Sequence, residues 1–403
     1  MPRDDVPEEQ PSDAPADAAP AREESKGGRR KRERGKRATV LKVLGVTVLV
    51  LALATALTVV FVVRHLNGNL EVIDISDKLQ NRPEKEEVAG EQEPLNILVM
   101  GSDTRQGAGN AIDKESGAEA SDTTILLHLS ADRRTAYGIS IPRDSVVDRP
   151  ACEQGAIPPA ENVMWNDAFT QGGPACTQQQ FEQLTGVYVD DFIVVDFNGF
   201  KKMVDAIGGV EVCIPETIDD RAHGIYLEKG TREVEGREAL AYVRQRYAVG
   251  NGSDIGRMKR QQAFIASMAN KVVSARTLAD PVRLFRFLDA ATEALRVSPG
   301  LQDVQKLAGV GSQLNGIGLD NIQFLTIPWK VDPNDPNRVV WAPEAKEVWK
   351  RIANDQELTA KLTTDAISAA KPTTTKTDGQ HKTESPEEKA DRQQALKDAG
   401  LCG

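Results

Sequence analysis

From Val43 to Val63 the chain runs for 21 residues without a charge, built almost wholly from Val, Leu, Ala, Thr and Phe. At ~1.5 Å per residue, a helix of that length crosses the ~30 Å hydrocarbon layer of a bilayer. A buried core helix is the other reading of an apolar run, but core helices rarely lack a polar face for so long. A cleaved signal peptide fits less well. The segment before the run is long, the run exceeds the apolar stretch of a signal, and no clean small-x-small site follows. Just before it, residues 26–37 hold Lys26, Arg29, Arg30, Lys31, Arg32, Arg34, Lys36 and Arg37 against one acid, Glu33. Alone, that block reads as a solvated charge run or a nucleic-acid patch; beside the span it fits the positive-inside rule. The sequence predicts a transmembrane helix over 38–64, a cytoplasmic N-terminus, and everything after Arg64 outside the cell membrane.

Charge sorts the rest. Of 50 basic and 60 acidic residues in 403, residues 1–63 hold 11 and 9, leaving 39 and 51, a net −12 for the remainder. That acidity argues against a nucleic-acid partner, which needs a basic face. Residues 1–25 are acidic and proline-rich and cannot bury a core, so 1–37 reads as a disordered cytoplasmic tail with a basic flank. Residues 65–93 are polar and Glu-rich, a linker. Residues 94–356 alternate strand and helix patterns, an α/β or α+β domain. Residues 357–403 read as a tail, Lys/Thr/Glu-rich near 371–390.

Three strands open the domain: Leu95–Met100, Thr123–Leu129 and Thr135–Ile141. If each pairs antiparallel with the next, Asp103 after the first, Asp122 at the start of the second and Arg143 after the third share one sheet edge. The 18 residues joining Asp103 to Asp122 form a long loop of the functional kind. Two carboxylates with few other ligands suit Mg²⁺, which takes oxygen donors, water and substrate phosphate. The plainer reading is that each Asp caps a turn or strand end.

A second constellation runs Tyr242-Val-Arg244-Gln-Arg246-Tyr247, then Asp254-Ile-Gly-Arg257-Met-Lys-Arg260-Gln261. The period predicts a helix over 257–274, with Arg257 and Arg260 on its first turn. Cations are unfavourable at that end of the dipole, so a bound anion is the natural compensation. Arg244 and Arg246 point the same way only if their segment is extended. Four arginines in 17 residues make a phosphate clamp, or else a solvated salt-bridge face with Asp254 as N-cap.

Together these motifs carry a resemblance. Leu-Asn-Ile-Leu-Val-Met-Gly-Ser-Asp103-Thr-Arg105, Ser-Asp122-Thr, Ile-Pro-Arg143-Asp144, Asp-Phe-Asn-Gly-Phe200, Asp-Ala-Ile-Gly-Gly-Val210, Tyr-Val-Arg244-Gln-Arg246 and the Asp254–Gln261 segment stand in the order of the LytR-CpsA-Psr family, actinobacterial type, over about 94–275. The resemblance implies a central mixed β-sheet flanked by helices behind a single membrane helix. It implies an enzyme, a phosphotransferase that moves a glycopolymer from a polyprenyl-pyrophosphate carrier to peptidoglycan, on the muramic acid 6-hydroxyl, as a phosphodiester. It places Asp103 and Asp122 on Mg²⁺, and Arg105, Arg143, Arg244, Arg246, Arg257, Arg260 and Gln261 around the pyrophosphate. Arg143, Arg244, Arg246 and Asp254 are the catalytic candidates, and Asp144 or Asp254 could serve as general base. A hydrolase releasing phosphate from the same carrier, or a membrane-bound transcriptional attenuator, are the alternatives.

Helical segments near 264–273 and 282–295 could line a groove for the polyprenyl tail, though core packing explains each residue as well. Trp329, Trp341 and Trp349 read as core or as sugar platforms, core being the plainer reading. Cys152, Cys176, Cys213 and Cys402 all follow the span. An even number outside the cell suggests two disulfides with three possible connectivities. Cys176–Cys402 with Cys152–Cys213 is favoured because it would pin the tail to the domain.

Overall fold

The structure is a computed structural model and describes residues 28–88, 92–103, 120–221, 225–245, 249–274, 277, 279–372 and 386–402. The chain divides into two compact units, Met1–Val62 and Val63–Gly403. Helix α1 (Gly28–Asn69) begins in the first. Its stretch Ala38–Asn69 is long and apolar enough to cross a membrane, and none of its apolar window is buried. Leu41, Leu57 and Phe61 stand about 70% exposed (70%, 71% and 71%), a surface that water disfavours and lipid accepts.

An eight-stranded mixed sheet organises the second unit. Its strands are β1 (Glu71–Val72), β2 (Leu95–Asp103), β3 (Ala120–Leu129), β4 (Ala136–Ile141), β5 (Asp191–Asp196), β6 (Leu295–Val297), β7 (Ile322–Thr326) and β10 (Ile367–Ser368). A separate hairpin, β8 (Trp329–Val331) and β9 (Val339–Trp341), stands between β7 and β10 in the chain. The spatial order is β1-β6-β5-β2-β3-β4-β7-β10. The three strands expected to run antiparallel do so, Leu98 opposite Leu126 and Leu126 opposite Ile139. β5 then joins β2, and β7 joins β4, both in parallel. The carboxyl ends of β2, β4, β5 and β7 therefore lie at one edge with the start of β3.

The helices are α2 (Asp167–Thr185), α3 (Phe197–Ala206), α4 (Gly236–Arg244), α5 (Asp254–Val273), α6 (Pro281–Ala294), α7 (Val304–Ile317), α8 (Glu344–Ala353) and α9 (Pro386–Ala399). Strand alternation sends Leu98, Met100, Leu126 and Ile139 to one face, under Phe181 of α2 and Val348 and Trp349 of α8. Phe181 and Trp349 meet edge-on, ring centroids 5.4 Å apart, the geometry aromatic quadrupoles prefer. Leu129, Ala136 and Phe324 face the other way, against Ala263 and Ala266 of α5. Covered on both faces, all six residues of β4 are buried. Position 138 must be glycine: a Cβ there would meet the Phe324 ring at 2.4 Å. Trp341 and Trp349 pack in the core as expected, while Trp329 is 37% exposed.

The favoured disulfide pairing is corrected. Cys152 bonds Cys176, Cα atoms 5.3 Å apart, and Cys213 bonds Cys402, Cα atoms 5.8 Å apart. The reason is local packing. Cys152 is buried against Ala168 and Cys176 of α2, whereas Cys213 lies on the strand Val210–Ile214, whose Val210, Val212 and Ile214 belong to another hydrophobic cluster. Residue 402 is tethered to the domain, but through Cys213. Much of the segment from 357 is likewise built in: β10 pairs with β7, and Leu396, Ala399 and Leu401 are buried against Ala263 and Ala266. Residues 373–385, within the Lys/Thr/Glu-rich stretch, lie outside the described residues.

Candidate functional site

The edge where β2, β4, β5 and β7 end carries the expected site residues. Asp103 lies opposite Ala120 in the β2–β3 register. Ser102 faces Ser121 and Gly101 faces Thr123, so Asp122 is the extra residue of a β-bulge. Bulges turn a strand locally and occur beside active sites. The side chains of Asp103 and Asp122, and all of Arg105 and Arg246, lie outside the described residues. Arg143 follows β4, whose Ile141 pairs with Thr124.

Helix α5 crosses this edge. Its N-cap is Ser253, whose hydroxyl accepts from Gly256 N at 3.1 Å. The cap frees the neighbouring Asp254 carboxylate for other work. Asp254 Oδ1 accepts from Arg257 Nη2 at 2.5 Å and lies 3.5 Å from Arg143 Nε. An acid in the first turn thus compensates the cation that the dipole disfavours, a role the sequence alone assigned to a bound anion.

Around Arg143 a compact cluster forms. Its Nε is 3.6 Å from Asp144 Oδ1 as well as 3.5 Å from Asp254 Oδ1. Arg338 Nη1 reaches Asp144 Oδ1 at 3.4 Å. Arg257 is 3% exposed. Burial pushes the Asp144 carboxyl above its ordinary range, the Asp254 charge adds to that, and Arg143, Arg338 and Arg257 oppose it. The cluster joins two carboxylates, of which Asp144 has its proton affinity raised by burial, to guanidiniums that stabilise anions.

Arg338 is the residue sequence reading missed. It sits in an Asp/Asn/Pro turn with no motif around it, and only the hairpin brings it in: Ser145 bridges Val339, and Val339 N donates to Asp144 O at 3.3 Å.

Arg244 closes α4 in helical conformation, not in an extended strand. Its guanidinium lies 5.0 Å from the ring centroid of Phe197, the residue after β5, in a cation–π contact. Since Asp196 pairs with Ser102, that contact holds Arg244 at the same edge as Asp103. Gln261 joins the two regions: Thr123 Oγ1 donates to its Oε1 at 3.1 Å, and its Nε2 donates to Val243 O at 3.2 Å. It positions strand and helix against each other.

Arg260 is 1% exposed and faces away from the cluster. It donates to Ala399 O at 2.7 Å and to Gln245 O. Asn251 N donates to Asp398 O at 2.9 Å, and a Cβ on Gly250 would meet that oxygen at 2.1 Å. The segment leading into α5 is therefore held down by residues 398–399. Burial lowers the Arg260 guanidinium to about 10, and pushes Tyr242 up to about 12.

Among the described residues no three His, Cys, Asp or Glu side chains gather to hold a metal. Of the segments weighed as a polyprenyl groove, Phe264 is core, 1% exposed, whereas Val282 at the start of α6 is 57% exposed.

Residues 62–356 match the model of the LytR_cpsA_psr family. The chain belongs to the LytR-CpsA-Psr family. It is of the actinobacterial type. It is 30% identical over 260 residues to the cell wall biosynthesis protein LcpA of Corynebacterium glutamicum, an alignment covering 58% of this chain and 49% of LcpA. It is 26% identical over 264 residues to the polyisoprenyl-teichoic acid–peptidoglycan teichoic acid transferase TagV of Bacillus subtilis, covering 64% of this chain and 63% of TagV. The chain thus spans about half the length of LcpA. Among solved structures, the LytR-Csp2A-Psr enzyme from Actinomyces oris superposes with a TM-score of 0.53 at 17% identity, over 70% of this chain and 95% of that one. The mixed sheet with flanking helices is thus the LytR-CpsA-Psr fold.

Proposed function

We propose that this LytR-CpsA-Psr protein transfers a glycopolymer from a polyprenyl-pyrophosphate carrier to peptidoglycan, outside the cell membrane. The observation that carries the reading is the Arg143 cluster at the sheet edge, where Asp144, Asp254, Arg257 and Arg338 converge. The name of TagV, a transferase joining teichoic acid to peptidoglycan, supports the substrate class.

In the proposed reaction the muramic acid 6-hydroxyl attacks the phosphorus that carries the glycopolymer. A new P–O bond forms, the bond from that phosphorus to the bridging oxygen breaks, and polyprenyl phosphate leaves with that oxygen. The product is a phosphodiester. Negative charge grows on the equatorial and leaving oxygens, and nearby guanidiniums stabilise it. Arg143 and Arg257 are assigned to those oxygens, with Arg244 at the same edge. The hydroxyl proton goes to a carboxylate. Asp144 is assigned as that acceptor, because burial raises its affinity for a proton.

Mg²⁺ is proposed as cofactor. Asp103 and Asp122 stand on paired strands at this edge, and two carboxylates leaving room for water and phosphate suit its chemistry. Bound there, Mg²⁺ would act as Lewis acid and template. The basic block at residues 26–37, before the apolar run, is assigned to the cytoplasmic side.

The test gives the full chain in detergent a polyprenyl-pyrophosphate-linked saccharide and Mg²⁺, with and without peptidoglycan. Label appearing on peptidoglycan supports transfer. Phosphate released equally without peptidoglycan makes it a hydrolase, and no reaction with either overturns the reading.

A further inference from the structure

Where β7 ends, the same sheet edge opens into a second cleft of about 290 Å³, lined by Lys259, Thr326, Trp329, Glu344, Thr364 and Asp365 among others. None of these residues belongs to the Arg143 cluster. The cleft has three properties that bear on what it takes.

The first is an aromatic face left in the open. Trp165 and Trp349 are 1% and 2% exposed, but Trp329 at the cleft wall is 37% exposed. An indole pairs an apolar face with one polar N–H, so a partly open one can take an apolar cover. The C–H face of a pyranose ring is a natural cover.

The second is the polar lining. Lysine, carboxylates and threonine hydroxyls stand together. The Lys259 ammonium is already engaged, donating to Asp365 O at 2.5 Å. Mixed donors and acceptors of both charges do not suit a phosphate, which wants cations alone. They suit a polyol, whose hydroxyls both donate and accept. The volume lies at the small end for ligand pockets, which begin at roughly 300 Å³, and matches one sugar residue.

The third is position. Thr326 pairs in parallel with Ser140, and Gln262 Nε2 donates to both their side chains at 2.9 Å. Trp329 and Arg143 each lie three residues past that pair, beyond the ends of β7 and β4. The hairpin links the two places as well. Trp329 pairs with Trp341 at one end of it, and Arg338 reaches Asp144 from the other. That is a span of ~10 Å at ~3.3 Å per residue, about the length of a disaccharide.

We infer that this cleft is a saccharide subsite in which a sugar of the acceptor glycan stacks on Trp329, while the neighbouring sugar along the strand presents its hydroxyl to the Arg143 cluster. The inference rests on the glycan-transfer reading above. It explains why the hairpin carries Trp329 and Arg338 together: one element sets the register between the held sugar and the reacting one.

The test is saturation-transfer NMR on the full chain in detergent, with soluble, peptide-free glycan strands of peptidoglycan as probe. Wild-type protein is expected to bind saturably. Trp329→Ala should weaken the strands at least tenfold, Trp329→Phe should restore most of the affinity, and Thr364→Trp, which fills the cleft, should abolish binding. Inorganic pyrophosphate, measured alongside, should bind all variants as it binds wild type, which also reports that they are folded. Absence of saturable binding by wild type, or wild-type affinity in either Trp329→Ala or Thr364→Trp, overturns the subsite. The outcome is separate from the transfer reaction: glycan binding that survives a failed transfer assay sinks the proposed function and leaves the subsite standing.

Discussion

The guanidinium of Arg143 lies 3.5 Å from the carboxylate of Asp254, so a residue leaving strand β4 meets the residue that opens helix α5. Sheet edge and helix start are thereby joined at the point proposed for pyrophosphate. Arg143→Ala should fold and bind inorganic pyrophosphate weakly, and its transfer rate should fall by about 10³-fold, the scale of an arginine placed for a phosphoryl transition state. Wild-type turnover by the purified variant refutes that role.

Asp144 couples catalysis to stability. Its folded pKa is raised, first by burial and then by Asp254. The native state therefore takes the proton more readily than the unfolded chain does. Ionised Asp144 costs stability in full above its folded value, and the cost vanishes as pH falls to the ordinary value of 3.8. Asp144→Asn should raise Tm at neutral pH and lose that advantage in acid, while slowing transfer by about 10²-fold. The acid limb of the wild-type pH–rate profile, set by protonation of this group, should disappear in the variant. Melting curves across pH together with that profile check both halves.

Arg260 is expected to act through the backbone. Arg260→Met leaves the carbonyls of Ala399 and Gln245 without their donor. A loss of about 3 kcal/mol in urea denaturation follows from stranding buried polar groups. Its effect on pyrophosphate affinity should be well below that of Arg143→Ala. An equal effect would return Arg260 to the phosphate site.

The two disulfides should differ in worth. Cys213–Cys402 closes a separation of 189 residues and Cys152–Cys176 one of 24. Chain-entropy arguments give about 5 and about 3 kcal/mol respectively. Cys402→Ser should therefore cost more than Cys176→Ser when each is compared in denaturant with wild type.

Asp122→Asn should raise the Mg²⁺ concentration needed for half-maximal transfer by about tenfold, one carboxylate of the pair being lost. An unchanged Mg²⁺ dependence would move the metal elsewhere.

The parts of this arrangement legible in the sequence are those set by nearby residues. Alternation marked β2, β3 and β4, a short turn joined β3 to β4, and antiparallel pairing of all three was enough to bring Asp103, Asp122 and Arg143 to one edge. Helical period put Arg257 on the first turn of α5. What stayed hidden depends on chain segments far apart. Arg260 meets a carbonyl 139 residues away, and Arg338 meets Asp144 from 194 residues away. No local pattern marks either partner. The cysteine pairing failed for the same reason, since it turns on which elements, far apart in the chain, each cysteine lies beside. Ser253 taking the cap, and so releasing Asp254, was decided by one residue of register.

The contact from Arg260 to Ala399 also has an order in time. A ribosome makes the strands, the arginines and the start of α5 well before it makes residues 398 and 399. Until those arrive, Asn251 and Arg260 lack the carbonyls to which they donate. A nascent chain thus carries the residues of the proposed site before it carries the carbonyls that brace the start of α5.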